Sequence, residues 1–176
     1  LLPGTDDAAR WRFTVRAAQF STRHDSVTAV QTFTVPERVN GEVRALTLSS
    51  PDGIDGTVRL TFEAVLAPWE DYVNHPAFAR LGFQSVLRRN ALLLRRLGRG
   101  GKPETWLCAA CDRQADFRAE GAIPGWLRAG YVQVRVAVHT PPDTPWRVRF
   151  ALGVGAHEDD AFAAAQRALV LPPESA

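Results

Sequence analysis

The chain has 176 residues, 45% of them apolar and 23% charged, which is the composition of an ordinary globular domain with one substantial core. Its formal charge of +2 is too small to indicate nucleic-acid binding, which is usually marked by a concentrated basic face, so we expect no nucleic-acid partner. No run of about 18 apolar residues occurs, and this excludes a membrane-spanning helix in the sequence. We predict a single domain over residues 1–176.

The scarcity of lysine and the absence of methionine are both informative. Lys102 is the only lysine among 21 basic residues, which reflects either a coding bias or a use of bidentate guanidinium chemistry. The chain contains no methionine and its first residues, Leu1 to Gly4, do not resemble a signal peptide. We therefore expect a fragment of a larger multidomain protein with a cytoplasmic location. Any anchor of that parent protein in the inner membrane would lie outside this segment.

Strand patterns dominate the first 66 residues. Apolar and polar side chains alternate with the period of two that is typical of a strand with one buried face, over residues 11–17, 27–35, 42–49 and 58–66. Turn-forming residues separate these segments at Asp25-Ser26, at Asn40-Gly41 and from Ser50 to Gly53. The last strand leads into a loop that is dense in aromatic and acidic residues. The pattern predicts antiparallel hairpins.

The second half continues the same pattern. Strands are predicted over 83–87 and 91–97, with Asn90 between them, and then over 105–111, 132–138 and 146–154. Helical spacing of apolar residues, with carboxylates in the first turn, is confined to 159–169. We predict an all-β, mainly antiparallel, two-sheet sandwich of ten or more strands with one short C-terminal helix.

Cys108 and Cys111 form an isolated C-x-x-C motif. In a strand, residues three apart point to opposite faces and lie about 10 Å from each other, which is beyond the reach of a disulfide. A zinc site would need two more ligands, and the sequence contains no second C-x-x-C or H-x-x-x-H motif. We expect packed, unreactive thiols and no bound metal or cofactor.

The carboxylates give no indication of a glycosidase pair, which would need two acids about 5 to 10 Å apart. The acids in the middle of the chain share no spacing that would pair any two of them; they are Glu63, Glu70, Asp71, Asp112, Asp116 and Glu120. We therefore expect no catalytic residue in this chain.

Two groups of residues are candidates for binding. Arg88, Arg89, Arg95 and Arg96, with Arg99 and Lys102, would bring several guanidinium groups to one face if the strands around Asn90 pair. Such a face suits phosphate, sugar or an acidic partner, but it is equally typical of a solvated hairpin end. Trp69, Tyr72 and His75 would form either a sugar-stacking platform or an interface with another domain. Both readings stay open.

A series of motifs in chain order resembles one known family. Its members are glycoside phosphorylases of the cellobiose and chitobiose type and cyclic β-1,2-glucan synthases, which form glycoside hydrolase family 94 with its glycosyltransferase family 36-like proteins. The similar segments are residues 23–36, 42–49, 58–66, the H-P-A-F at 75–78, 90–96, 105–106, 111–118 and 155–169. The chain departs from the family pattern at Gly82 and in the compressed segment 112–126.

The resemblance implies a β-supersandwich similar to the galactose mutarotase fold. It also implies an (α/α)6 barrel elsewhere in the parent protein as partner, with the catalytic acid in that barrel, and it allows contact with a β-glucan oligosaccharide and a homodimer. The leading hypothesis is a non-catalytic, carbohydrate-binding-like scaffold module. The alternatives are an independent carbohydrate-binding or mutarotase-like enzyme and a purely structural interaction domain.

Overall fold

The computed structural model describes residues 9–64, 66, 83–96, 104–120 and 130–171. Within these ranges the chain forms eleven strands and one helix, which are β1 (Arg10–Phe13), β2 (Ala17–His24), β3 (Val27–Thr34), β4 (Gly41–Ser49), β5 (Ile54–Ala64), β6 (Phe83–Leu87), β7 (Ala91–Arg96), β8 (Thr105–Cys111), β9 (Asp116–Glu120), β10 (Gly130–Thr140), β11 (Trp146–Gly155) and α1 (Glu158–Val170). All strand pairs are antiparallel. The predicted all-β sandwich with a C-terminal helix is confirmed. No helix in the described part is long and apolar enough to cross a membrane.

The strands form two sheets of unequal width. The large sheet has eight strands in the order β1-β2-β3-β4-β11-β8-β7-β6, and the small sheet has three in the order β5-β10-β9. The alternating valines of β10, from Val132 to Val138, point toward the large sheet and pack against residues such as Leu94, Val148 and Phe150. We call the face of the large sheet that meets the small sheet its inner face, and the opposite one its outer face.

Helix α1 covers the middle of the outer face. Its buried side is made mostly of small residues, with Ala161, Ala165 and Ala168 packing against Cys108 and Ala151 of the sheet. Three carboxylates occupy its first turn, where they interact favourably with the helix dipole, as the sequence predicted. Because alanine side chains are short, the helix backbone lies directly on the sheet.

Two local predictions were wrong or incomplete. Residues 11–17 do not form one strand, because the chain reverses between β1 and β2. Thr14 causes the reversal: its backbone N–H donates to the Ala17 carbonyl at 2.9 Å, and its hydroxyl accepts from the Ala17 N–H at 3.0 Å. Strand β9 was not predicted at all. It pairs with β10 at the edge of the small sheet.

Asn90 has a larger role than that of a turn residue. β6 and β7 pair around it, as predicted, and its side chain then bridges to the segment after β8. Its Nδ2 donates to the carbonyls of Cys111 (3.0 Å) and Arg113 (2.5 Å), while its Oδ1 accepts from the Ala115 N–H at 3.0 Å. Asn90 therefore fixes the path from the large sheet to β9.

Candidate functional site

The arginines of the β6–β7 hairpin do not all share one face. Arg88 and Arg95 lie on the outer face, beside α1 and Trp106, whereas Arg96 lies on the inner face, where its Nη2 donates to Thr105 Oγ1 at 3.0 Å. Arg89 is exposed in the turn, with a φ of 53°. The hairpin thus brings Arg88 and Arg95 to one face and Arg96 to the other, because adjacent strand residues point to opposite sides. Contact of these four arginines with carbohydrate or with a barrel stays a prediction.

Arg88 contacts three residues of helix α1. Its Nη1 lies 2.5 Å from Asp159 Oδ1 and 3.3 Å from Glu158 Oε1, and its guanidinium stacks 4.5 Å from the centre of the Phe162 ring. The hydrogen bond with Asp159, followed by the charges of Asp159 and Glu158, raises its pKa above the ordinary value despite some desolvation. These contacts hold the start of α1 to the hairpin.

Arg95 makes similar contacts with Glu104, which immediately precedes β8, and with Trp106 of β8. Its Nε and Nη2 form a bidentate pair with Glu104, and its guanidinium lies 5.6 Å from the centre of the Trp106 ring. The hydrogen bond from Arg95 lowers the pKa of Glu104, and that from Glu104 raises the pKa of Arg95. The geometry gives both outer-face arginines a structural role.

Trp69, Tyr72 and His75 lie outside the described residues, so their role in sugar or barrel contact stays a prediction. The same holds for Arg99 and Lys102.

The two cysteines are free and buried on opposite faces of β8. Cys108 packs under α1, and Cys111 packs between the sheets. Burial raises the pKa of Cys108 to about 12 and that of Cys111 to about 11. Within the described part of the chain no group of three or more His, Cys, Asp or Glu residues could hold a metal ion.

The inner face of the large sheet continues beyond the sandwich core. No residue of β1 or β2 belongs to the cluster buried between the sheets. Register places Trp11 opposite Phe20, and Phe13 in line with Phe33, on the inner side. The ring centre of Trp11 is 5.8 Å from that of Phe13, 4.8 Å from Phe20 and 6.3 Å from Phe33. We call these four residues the aromatic cluster.

The aromatic cluster is accessible in the described structure. Trp11 is 55% exposed and Phe13 is 73% exposed. Large exposed aromatic side chains grouped in one place usually mark a binding surface. The alternation of Trp11 and Phe13 with arginines in the sequence indicates that these two rings share one side of a strand. Only the strand register shows that Phe20 and Phe33 lie beside them.

A groove of about 590 Å³ lies next to the aromatic cluster, at the end of the sheet where β1 turns into β2. Phe13 and Phe33 form part of its wall, and Glu37 and Glu42 provide carboxylates. Glu42 accepts a hydrogen bond from Arg44, whose guanidinium stacks 5.2 Å from the Phe33 ring centre. Glu37 lies 3.7 Å from Arg16. Apolar ring faces and charged hydrogen-bonding groups therefore meet in one groove.

A protein-family profile described as "Glycosyl hydrolase 94, supersandwich domain" matches residues 2–122. The chain belongs to this family. As a glycosyl hydrolase 94 supersandwich domain it is an accessory domain of a carbohydrate-active enzyme, and the family predicted from its motifs is confirmed. No curated protein sequence matches the chain.

Solved structures show the same fold at low sequence identity. A protein described as a kojibiose phosphorylase from the human microbiome superimposes with a TM-score of 0.64 and 7% identity, over 89% of this chain and 21% of that one. A heparinase III gene product superimposes with a TM-score of 0.52 and 12% identity, over 91% and 23%. The supersandwich domain thus spans about a fifth of the structures it matches.

The groove of this supersandwich domain presents groups that are suited to binding. Flat aromatic faces contact the C–H faces of sugars, and carboxylates and guanidinium groups bond to sugar hydroxyls. Both carboxylates of the groove interact with arginines, Glu37 with Arg16 and Glu42 with Arg44. The groove offers recognition groups for a polar, ring-containing ligand.

Proposed function

We propose that the chain is a non-catalytic scaffold and glycan-contact module of a cyclic β-1,2-glucan synthase or a β-glycoside phosphorylase. The observation that carries this proposal is the exposed aromatic cluster beside a groove with charged hydrogen-bonding groups, in a domain of the glycosyl hydrolase 94 family. The aromatic cluster would stack on glucose rings while Glu42 and Arg44 bond to their hydroxyls.

The catalytic acid of the parent enzyme is proposed to lie in an α/α barrel of the same polypeptide. The small share of each matched structure that the chain covers supports a larger parent protein. The groove also supports the proposal that this module binds glycan while the barrel carries out catalysis, since the carboxylates of the groove form ion pairs with Arg16 and Arg44. We propose a cytoplasmic location for this module.

The test is a titration of the chain with linear β-1,2-gluco-oligosaccharides, followed by the indole N–H signals in NMR spectra. We expect weak binding that perturbs the Trp11 indole, and an affinity at least fivefold lower in Trp11→Ala and Phe13→Ala. Leu87→Ala is the matched control, because Leu87 is 65% exposed at the other edge of the large sheet. It should leave binding unchanged.

Two outcomes would contradict the proposal. The first is the absence of any perturbation of Trp11 at millimolar oligosaccharide. The second is a dimer in solution that Trp11→Ala converts to a monomer, since the aromatic cluster would then be an interface between copies of the chain. Sedimentation of both variants beside the wild type separates these outcomes from loss of folding.

A further inference from the structure

The outer face of the large sheet carries a second surface, on the opposite side from the aromatic cluster. Strand register aligns two rows of side chains across β1, β2, β3, β4 and β11. One row is Arg10, Ser21, Val30, Thr47 and Arg147, and the other is Arg12, Gln19, Thr32, Ala45 and Arg149. We call these two rows the arginine tray.

The arginine tray has a regular layout. Its floor is made of half-buried side chains, four of them polar and two, Val30 and Ala45, apolar, and guanidinium groups stand at both ends. Because neighbouring strands lie about 4.8 Å apart, the arginines of β1 and β11 are separated by about 19 Å at the backbone. A ligand that bridges the tray must be extended and must carry negative charge at more than one point.

The charge of the tray is not balanced locally. No outward-facing position of the five strands is Asp or Glu, and Arg10, Arg12 and Arg147 form no ion pair within the described residues. Arg149 bonds to the C-terminal end of the helix, where its Nη2 donates to the carbonyls of Ala168 and Leu171. Beyond it, Asp112 accepts from the Arg149 backbone N–H at 2.9 Å. The unneutralised charge is therefore concentrated on Arg10, Arg12 and Arg147.

The shape of the surroundings restricts the partner. Helix α1 ends beside the tray and rises about 10 Å above the sheet, so a flat membrane surface would meet the helix before it met the floor. The tray has no aromatic residue, and so it lacks both the anchors typical of protein interfaces and the platforms on which nucleic-acid bases stack. A slender chain rich in hydroxyls and acidic groups fits all of these features.

We propose that the arginine tray binds a linear anionic oligosaccharide across its five strands. Carboxylate, sulfate or phosphate groups of the ligand pair with Arg10, Arg12 and Arg147. Hydroxyls of the ligand bond to Gln19 and Thr47 on the floor. The proposal goes beyond glycan contact at the aromatic cluster and does not depend on it, because the two surfaces lie on opposite faces of the sheet.

The test is calorimetric titration of the chain with hexagalacturonate at low and physiological salt, with neutral maltohexaose as the comparison ligand. We expect hexagalacturonate to bind and maltohexaose not to bind at this surface. Arg10→Ser combined with Arg12→Ser should weaken binding about tenfold, and Arg147→Ser about threefold, as expected for exposed ion pairs. The salt dependence should become shallower in each variant, since fewer charges are screened.

The matched control is Arg59→Ser combined with Arg118→Ser, which removes two exposed arginines from the small sheet and changes the net charge equally. The proposal is overturned if this control weakens binding as much as the tray variants do, since only diffuse charge would then be at work. It is also overturned if hexaglutamate binds as tightly as hexagalacturonate, or if no binding occurs at low salt. Loss of neutral glucan binding in Trp11→Ala would leave all these results unchanged.

Discussion

Helix α1 lies against the backbone of the large sheet at Gly153, and Gly153→Ala tests whether this contact holds the helix in place. A Cβ at position 153 would lie 2.5 Å from the Ala161 carbonyl oxygen, 3.0 Å from the Ala164 carbonyl carbon and closer still to the Ala165 backbone nitrogen. All three are backbone atoms of the helix. No change of side-chain rotamer can relieve the clash, so the helix itself must move away from the sheet.

The expected cost follows from this geometry. Adding one methyl group to a well-packed core costs about 1–3 kcal/mol, and a clash with backbone on several sides places Gly153→Ala at the upper end, about 3 kcal/mol. The lower entropy of the unfolded chain offsets less than about 1 kcal/mol of this. A net loss of about 2 kcal/mol corresponds to a fall in Tm of about 4–8 °C for a chain of this size.

The assay is urea unfolding of Gly153→Ala beside Gly56→Ala. Gly56 is the matched control, because a Cβ there would meet no atom within 4 Å. A thiol reagent supplies a local readout, since Cys108 lies under the helix and Cys111 between the sheets. We expect Gly153→Ala to expose Cys108 before Cys111. Equal stability of the two alanine variants, or equal reactivity of the two thiols, would refute the reasoning.

Two further predictions concern side chains that join separate elements. Asn90→Ala removes two donated hydrogen bonds and one accepted bond, so we expect a loss of about 2 kcal/mol in urea unfolding. Asn90→Asp keeps the acceptor for Ala115 but turns a carboxylate oxygen toward the Cys111 and Arg113 carbonyl oxygens, so it should lose at least as much as Asn90→Ala. A clearly smaller loss in Asn90→Asp would contradict this account. Glu104 has a lowered pKa, so its contribution to stability is present above the ordinary value of 4.5 and is lost as the pH falls through the lower folded value. Glu104→Gln should therefore be less stable than the wild type at pH 7 and converge with it in acid; a difference that is constant with pH would argue against the pair with Arg95.

The sequence predicted the elements well because one face of most strands is buried. The valines of β10 and the leucines of β7 reveal their strands directly, and the small, periodic apolar face of α1 reveals the helix. The predictions failed where neighbours in space decide the structure. Thr14 ends β1 through its own hydroxyl, although the alternation of residue types continues past it.

The binding surfaces were harder to predict for the same physical reason. Phe20 and Phe33 are separated by a hairpin in sequence, and only the antiparallel register brings them to Trp11. Conversely, Arg95 and Arg96 are adjacent in sequence, and the alternation of the strand separates them. A cluster in sequence is therefore weak evidence for a cluster on a sheet, whereas side chains that are aligned across several strands share a surface.

Because the two sheets differ in width, both sides of β1 are accessible in the described structure. A three-stranded sheet cannot cover eight strands, so the inner face beyond β3 stays uncovered within the described structure. β1 then has two accessible sides, with Trp11 and Phe13 on one and Arg10 and Arg12 on the other. Because side chains alternate, substitutions at odd and at even positions of this strand alter different surfaces. Substitutions at Trp11 and Phe13 should therefore affect binding of a neutral glycan, and substitutions at Arg10 and Arg12 should affect binding of an anionic one.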